Sequence, residues 1–385
     1  MKSFLIVVLS FFLLPFFQVS AQNLHQPKYL NFDNAETEKQ IIQSLETLFS
    51  QIEDEKIDTA FIGSQNRELT IATLGYLKGN EDDTENKITD FYKRQIINIY
   101  PVSKNQYTVT AAYIGEKQNE LPVLKTVFSL TANVENNKIT FTLPLSYLTR
   151  NWKSKTIGNI TYHFPDEINA KRAKQFNLKN TVIANKLKLQ PDKLDFYLCE
   201  NYQHIIKLLG YDYDLASNGK TRNGYGVDGK TIFSVMHNED FSHDLFHYYS
   251  AKIRKNKPNR NAEEGVAYIW GNAYWTKSDG ENITQKELVS SLKNYLKQNP
   301  ETSLIELFDK NPKILNELAD EVSVKSTLAG LICDDIERKK GTDGIITLLN
   351  CGSGEENFFN ATKKLVNIDR SNFNTELMKL INDYK

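Results

Sequence analysis

The sequence predicts an α+β protein, on three observations. Residues 34–97 carry apolar positions at helical spacing, residues 97–144 are short runs rich in Val, Ile, Thr, Phe and Tyr, and the chain from Asn261 onward returns almost wholly to helical periodicity. A length of 385 residues is long for one domain and comfortable for two. Hydrophobic residues at 40% and charged residues at 25% describe a globular chain, not a disordered one. The predicted architecture is N-terminal helices with a curved antiparallel sheet, followed by a small sheet and a mostly helical C-terminal half.

The first segment, 1–21, reads as a secretory signal. Lys2 is a small basic start, residues 4–17 are an apolar core broken by Pro15, and Val19-Ser20-Ala21 fits a cleavage site. The stretch is short for a membrane anchor, and no Cys follows it to carry a lipid. The expected mature chain begins near Gln22 and works outside the cytoplasm, periplasmic or secreted. Its net charge is −2, one less than the −1 of the whole chain, because the signal carries Lys2 and no acid. That balance argues against a nucleic-acid or anionic-membrane partner, and no later stretch is apolar enough to span a bilayer.

The predicted elements follow in order. Residues 36–49 place Ile41, Ile42, Leu45, Leu48 and Phe49 on one helical stripe, with further helices expected over 67–76 and 85–96. Strands are expected over 97–101, 106–114, 124–134 and 138–144, the clearest turn being Asn136-Asn137. Helices first and then a run of antiparallel strands is similar to the NTF2-like cone, and that resemblance implies an N-terminal module over 22–152. A boundary is expected within 150–157, with the second domain over 153–385. There the reading is strand 160–164, helix 167–187, strand 193–198, helix 204–208, a Gly- and Asn-rich loop or hairpin over 219–229, and strand 231–236. Helices are expected over 285–298, 303–308, 312–317, 323–339, 341–349, 355–365 and 374–384. Three cysteines, Cys199, Cys333 and Cys351, leave at least one thiol unpaired within the chain; the reading is three small apolar residues, with a Cys333–Cys351 bridge the alternative.

One motif points to chemistry. His243-Asp244-Leu245-Phe246-His247 sets two histidines four apart, one turn above the other on a helix face. Asn238 is the expected N-cap, with Glu239 and Asp240 at the positive end of the dipole. Downstream, Glu263-Glu264-Gly265 opens a second helix with Asn261 as its expected cap, so Glu264 falls in the first turn. Two imidazoles and a carboxylate from a second helix form a three-ligand zinc site with an open fourth position, taking one Zn2+ ion. Zinc acidifies water and stabilises a developing oxyanion, and a neighbouring acid can take the proton. Asp244 lies about 100° around the helix from His243, at the side of such an ion.

From these residues, the stretch from 160 to the C-terminus resembles the gluzincin metallopeptidases, in particular the peptidase MA-like group. The His243–His247 run matches that family's HExxH helix in a variant HDxxH form, and Glu264-Gly265-Val266-Ala267-Tyr268 matches its downstream EG-x-A-x helix. The resemblance implies that His243, His247 and Glu264 are zinc ligands, that Asp244 is the general base, and that the substrate is a peptide or protein. Three alternatives stay open: Glu263 as the ligand, Glu264 as a capping carboxylate, and Asp244 as an orienter of a histidine. A catalytically weak or inactive relative serving as a binding or scaffold protein is the other functional reading. Asp is one methylene shorter than Glu, and a misplacement of that kind can cost on the order of 100-fold in rate. Among side chains that could steady an oxyanion, Tyr268, Tyr274 and His237 lie nearby in sequence.

Overall fold

α1 (Ala35–Glu53) is helical because Ile41, Ile42, Leu45, Leu48, Phe49 and Ile52 recur at three- and four-residue steps and form one buried stripe. The computed structural model describes residue 24 and residues 35–116, 121–136, 138–220, 224–235, 237–273, 281–319 and 322–384. The expected signal segment lies outside the described residues. After α2 (Arg67–Gly75), the strands β1 (Tyr92–Ser103), β2 (Gln106–Gly115), β3 (Val123–Glu135) and β4 (Lys138–Thr142) form an antiparallel meander. Irregular register at Ile96/Asn98 and at Tyr113/Ile114 bends it, and α1 shares its apolar core.

The expected helix over 85–96 is not formed. Asp83 and Ile88 pair across a turn, and β1 begins at Tyr92. Tyr92, Arg94 and Ile96 are the buried positions of a period-two alternation. Arg94 occupies an inward position, so the strand does not read as apolar alternating with polar.

The chain continues through α3 (Leu145–Leu148), β5 (Lys153–Ile157), β6 (Ile160–Phe164), α4 (Ala170–Lys186), β7 (Leu194–Cys199), α5 (Tyr202–Leu208), β8 (Tyr211–Asp214), β9 (Gly224–Asp228) and β10 (Thr231–Val235). The second sheet runs β5-β6-β7-β10-β9, with β6, β7 and β10 parallel and the two outer strands antiparallel to their neighbours. Its two faces are buried in different cores. Phe196, Leu198 and Ile232 face the core that holds Phe176 of α4; Tyr197, Cys199 and Phe233 face the core of the N-terminal half. Alternate side chains of a strand point to opposite faces, so a strand covered on both sides reads as the near-continuous apolar run found at 196–199. β8 leaves this sheet altogether and pairs with β3 of the first one, joining the two halves.

The remainder is helical: α6 (Ser242–Ile253), α7 (Arg260–Val266), a π-helical turn Ala267–Gly271, α8 (Gln285–Gln298), α9 (Leu304–Lys310), α10 (Val324–Leu349), α11 (Glu355–Val366) and α12 (Phe373–Asp383). The expected helices over 323–339 and 341–349 are one element, α10, with a non-helical joint at Gly341. The helix expected over 312–317 is a set of turns: Asn311 ends α9 in the left-handed conformation and Pro312 follows it. All three cysteines are free. Burial pushes the thiols of Cys199 and Cys333 up, which suits inert packing residues. Among the described residues no helix is long and apolar enough to cross a membrane.

The core of the N-terminal half contains an ion pair. Glu81, 5% exposed, holds Oε1 2.8 Å from Arg94 Nε. Burial pushes the Glu81 carboxyl from 4.5 up to about 7 against the pull of Arg94, and Glu53 adds to the rise. A carboxyl raised on folding stabilises the fold fully below its unfolded value, and that contribution is lost as pH climbs to the folded value. Urea unfolding of the parent should therefore show stability falling between pH 4.5 and about 7, by on the order of 3 kcal/mol from this group. Glu81→Gln should flatten that slope even if it lowers stability throughout; an unchanged slope would count against Glu81 as its source.

Candidate metal centre

The link from β10 into α6 is tied down at Asn238, Glu239 and Asp240. Ser234 Oγ donates to the Asn238 carbonyl at 2.8 Å, and Tyr162 OH donates to the Glu239 carbonyl at 3.1 Å. The Glu239 carboxylate, 1% exposed, accepts from Asn169 N at 2.8 Å and Arg172 Nε at 2.7 Å. Asp240 accepts from Lys179 Nζ at 2.8 Å and from Ser242 N at 3.2 Å. α6 thus begins at Ser242 with Asp240 satisfying its first free N–H, not with Asn238 as its cap. Glu239 is drawn off to α4, because burying a carboxylate requires a cationic partner. His237 lies exposed just after β10 with φ +70°, a strand-end residue.

α7 also starts earlier than expected. Its cap is Asn259, whose side chain accepts from Ala262 N; Asn261 is inside the helix. The amide of Asn259 donates to the carbonyls of Gly352 and Gly354, so a tertiary contact aims its oxygen at the helix. Glu264 therefore sits in the second turn and caps nothing. α7 runs straight into the π-turn, which closes with Asn272 N on Ala267 O at 3.0 Å.

Two glycines set the distances. A Cβ on Gly265 would lie 2.8 Å from Cys333 Sγ and 2.9 Å from Ala329 C, so α7 lies directly on α10. A Cβ on Gly271 would lie 2.7 Å from Ser242 O and 2.9 Å from His243 N and Cα, so the π-turn lies directly on the start of α6. Lys179 Nζ and Ser242 Oγ both donate to the Gly271 carbonyl and lock that contact. Asn272 leaves the turn with φ +132°, an unfavourable value for a residue with a side chain, and presents its carbonyl to His243.

The result brings His243, His247 and Glu264 together, with one donor atom from each lying within 4.8 Å of the others. His243 Nε2 is 3.1 Å from His247 Nε2 and 3.4 Å from Glu264 Oε2, and His247 Nε2 is 3.5 Å from Glu264 Oε1. The outer ring nitrogens are engaged as well. His243 Nδ1 lies 3.1 Å from the Asn272 carbonyl, and His247 Nδ1 lies 3.1 Å from Glu263 Oε2. A carbonyl and a carboxylate can only accept, so both Nδ1 atoms carry hydrogen. Both Nε2 atoms of the neutral rings are then lone pairs, facing each other and a carboxylate. Such a cluster of acceptors requires a cation between them, a proton on one ring or a metal ion. The separations are close to the ~3.3 Å edge of a tetrahedron with bonds of about 2 Å. The residues present fit a small divalent ion.

The electrostatics agree. Burial opposes a charged His243, but the Glu264 hydrogen bond and the nearby Asp244 and Glu264 carboxylates outweigh it, so the ring holds its proton above the usual range. Burial would raise Glu264 and Glu263; hydrogen bonds from His243 to the former, and from His247 and Ser250 to the latter, hold both below the usual range. The side chains of His247 and Glu264 are 28% and 33% exposed, against 9% for His243, so the cluster opens to solvent on one side.

Asp244 lies beside the cluster. Its Oδ2 is sealed from solvent and has no hydrogen-bond partner among the described residues. Burial pushes its carboxyl up, moderated by His243 and His247. Tyr268 packs its ring against His243, with centroids 5.9 Å apart, but its hydroxyl accepts from Ser323 N at 3.3 Å, at the start of α10. Burial raises that hydroxyl to about 12. Tyr274 lies outside the described residues. Sequence reasoning missed Asn272, Ser250 and Arg254 as members of this neighbourhood. The last two had a legible signal, since His247, Ser250 and Arg254 are spaced i, i+3, i+7 in sequence, the spacing of one helical stripe that α6 keeps up to its end just before Arg254.

Adding a methyl at Gly271 should force α6 and the π-turn apart. Gly271→Ala is expected to cost ~1–3 kcal/mol in thermal unfolding. Gly75→Ala, whose added Cβ meets nothing within 4 Å, should be neutral. Equal effects from the two would show that the close approach does not matter.

No protein-family model matches this chain, and no curated protein matches it as a relative.

Proposed function

We propose that the chain is an exported zinc-dependent metallopeptidase that hydrolyses peptide bonds. The observation that carries this reading is the convergence of three acceptor atoms, from His243, His247 and Glu264, beside a buried carboxylate with no hydrogen bond to its Oδ2. Under this proposal those three residues hold the ion, and the open side of the cluster is where a peptide carbonyl approaches. The chemistry a zinc ion supplies when bound is Lewis acidity toward a water and a carbonyl oxygen. Asp244 takes a proton from the attacking water and returns it to the leaving amine. Asp244 is placed for both halves of that task by its burial beside the three acceptor atoms. The His243 and His247 rings are kept in the ligating tautomer by Asn272 O and Glu263.

The division of the chain is part of the same proposal: a signal over 1–21, an NTF2-like module over 22–152 and a peptidase MA-like domain over 153–385. Two apolar cores support two modules, and the pairing of β8 with β3 makes their contact extensive. The short arm of Asp244 favours a second reading, in which the same site binds metal and the protein serves as a binding or scaffold protein outside the cytoplasm.

Elemental analysis of the purified protein should find zinc, and His243→Ala, His247→Ala and Glu264→Ala should each abolish its retention. Asp244→Asn should keep the metal and lose about 100-fold or more in cleavage of a mixed peptide library. Zinc bound without turnover by the parent, with cleavage appearing in Asp244→Glu, would reject the enzyme and leave the scaffold reading.

A further inference from the structure

We propose that Glu263 is a positioning residue of the metal centre, an anion that fixes the tautomer of His247 and strengthens it as a ligand. The inference rests on the metal-binding reading above. Glu263 is 3% exposed, and a carboxylate that deep is costly unless its oxygens are matched by donors. They are matched, and unequally. Oε1 accepts from Ser250 Oγ at 2.6 Å and from Arg254 Nη1 at 3.0 Å. Among the described residues Oε2 meets only the His247 ring, at 3.1 Å from Nδ1. Ser250 and Arg254 thus pin one oxygen, and the rigid carboxylate aims the other at the imidazole.

His247 and Ser250 lie on α6 and Arg254 is the residue that ends it, while Glu263 comes from α7. The arrangement joins the two elements that contribute ligands, next to the ligands themselves. It also makes the two histidines different. The outer nitrogen of His243 is held by the neutral Asn272 carbonyl, and that of His247 by a full negative charge. A carboxylate on the far side of a ligating imidazole orients the ring and raises its basicity, and loss of such a partner typically lowers metal affinity 10–100-fold. A Gln in place of Glu263 keeps the size and an accepting oxygen but removes the charge. It is also free to flip, so that its NH2 group no longer accepts from the ring.

The rival is that Glu263 only ties α6 to α7 through Arg254. The test reads the ring itself. Nitrogen-15 NMR of the metal-free parent, at a pH above the ordinary imidazole value, should show His247 with its proton on Nδ1. Glu263→Gln should shift His247 toward the Nε2–H form and weaken zinc binding, titrated against a chromophoric chelator, by about 10-fold or more. Ser250→Ala, which removes a tie but not the ring contact, should leave the tautomer in place. A parent His247 protonated on Nε2 would overturn the proposal without any variant. So would a Glu263→Gln protein with unchanged tautomer and zinc affinity within about twofold of the parent. If the parent binds no zinc, the metal reading fails by itself, and the tautomer still decides what Glu263 does.

Discussion

Backbone contact at two glycines is the constraint on which the candidate metal centre depends. Gly271 lets the π-turn rest on the backbone of Ser242 and His243, and Gly265 lets α7 rest on α10. A protein interior has little slack, so a single methyl at either point must move a whole segment. Because α7 and the π-turn are continuous, the two contacts act on one rigid piece. That piece delivers Glu263 and Glu264 at one end and the Asn272 carbonyl at the other. Both rings of α6 are therefore addressed from one neighbouring segment.

The polar chemistry around the site follows the same logic. α6 carries few charges of its own, yet acids pack along it, Glu239 and Asp240 before its start and Glu263 against its C-terminal half. Glu239 is matched by Arg172, Asp240 by Lys179 and Glu263 by Arg254, so each structural carboxylate has its own cation. Glu264 and Asp244 are not matched in that way by a lysine or arginine within ion-pair distance among the described residues. The acids left over are Glu264, which faces the inner nitrogens of both histidines, and Asp244 beside them. Low local dielectric makes an uncompensated acceptor cluster expensive, and a proton on one ring or a metal ion relieves it.

Much of the fold was legible in local pattern. The apolar stripe of α1, the strands β2 to β4, β6, β7 and β10, and the long helices of the C-terminal half stand within a few residues of where periodicity places them. The misses share a cause. The first half of β1 was hidden because Arg94 fills an inward position, balanced by a Glu81 that lies outside the strand, while its second half matches the strand expected over 97–101. The caps of α6 and α7 were misplaced because Asn238 and Asn261 are as good in sequence as the true acceptors Asp240 and Asn259. What selects the latter is Lys179 in one case and the 352–354 carbonyls in the other. β8 was invisible because its four residues gain their hydrogen bonds from β3, in the other half of the chain.

The candidate site divides in the same way. By itself the sequence determined that two imidazoles share a helix face, because four residues make slightly more than one turn, and it put Glu264 ahead of Glu263 as their partner. Only the tertiary structure decided the division of labour between those two acids. It places one on the inner ring nitrogens and the other on the outer nitrogen of His247. Adjacent residues on a helix point about 100° apart, so which of them reaches a neighbouring helix depends on how that helix is rotated. The rotation is set by where a glycine allows contact, and no local pattern encodes it.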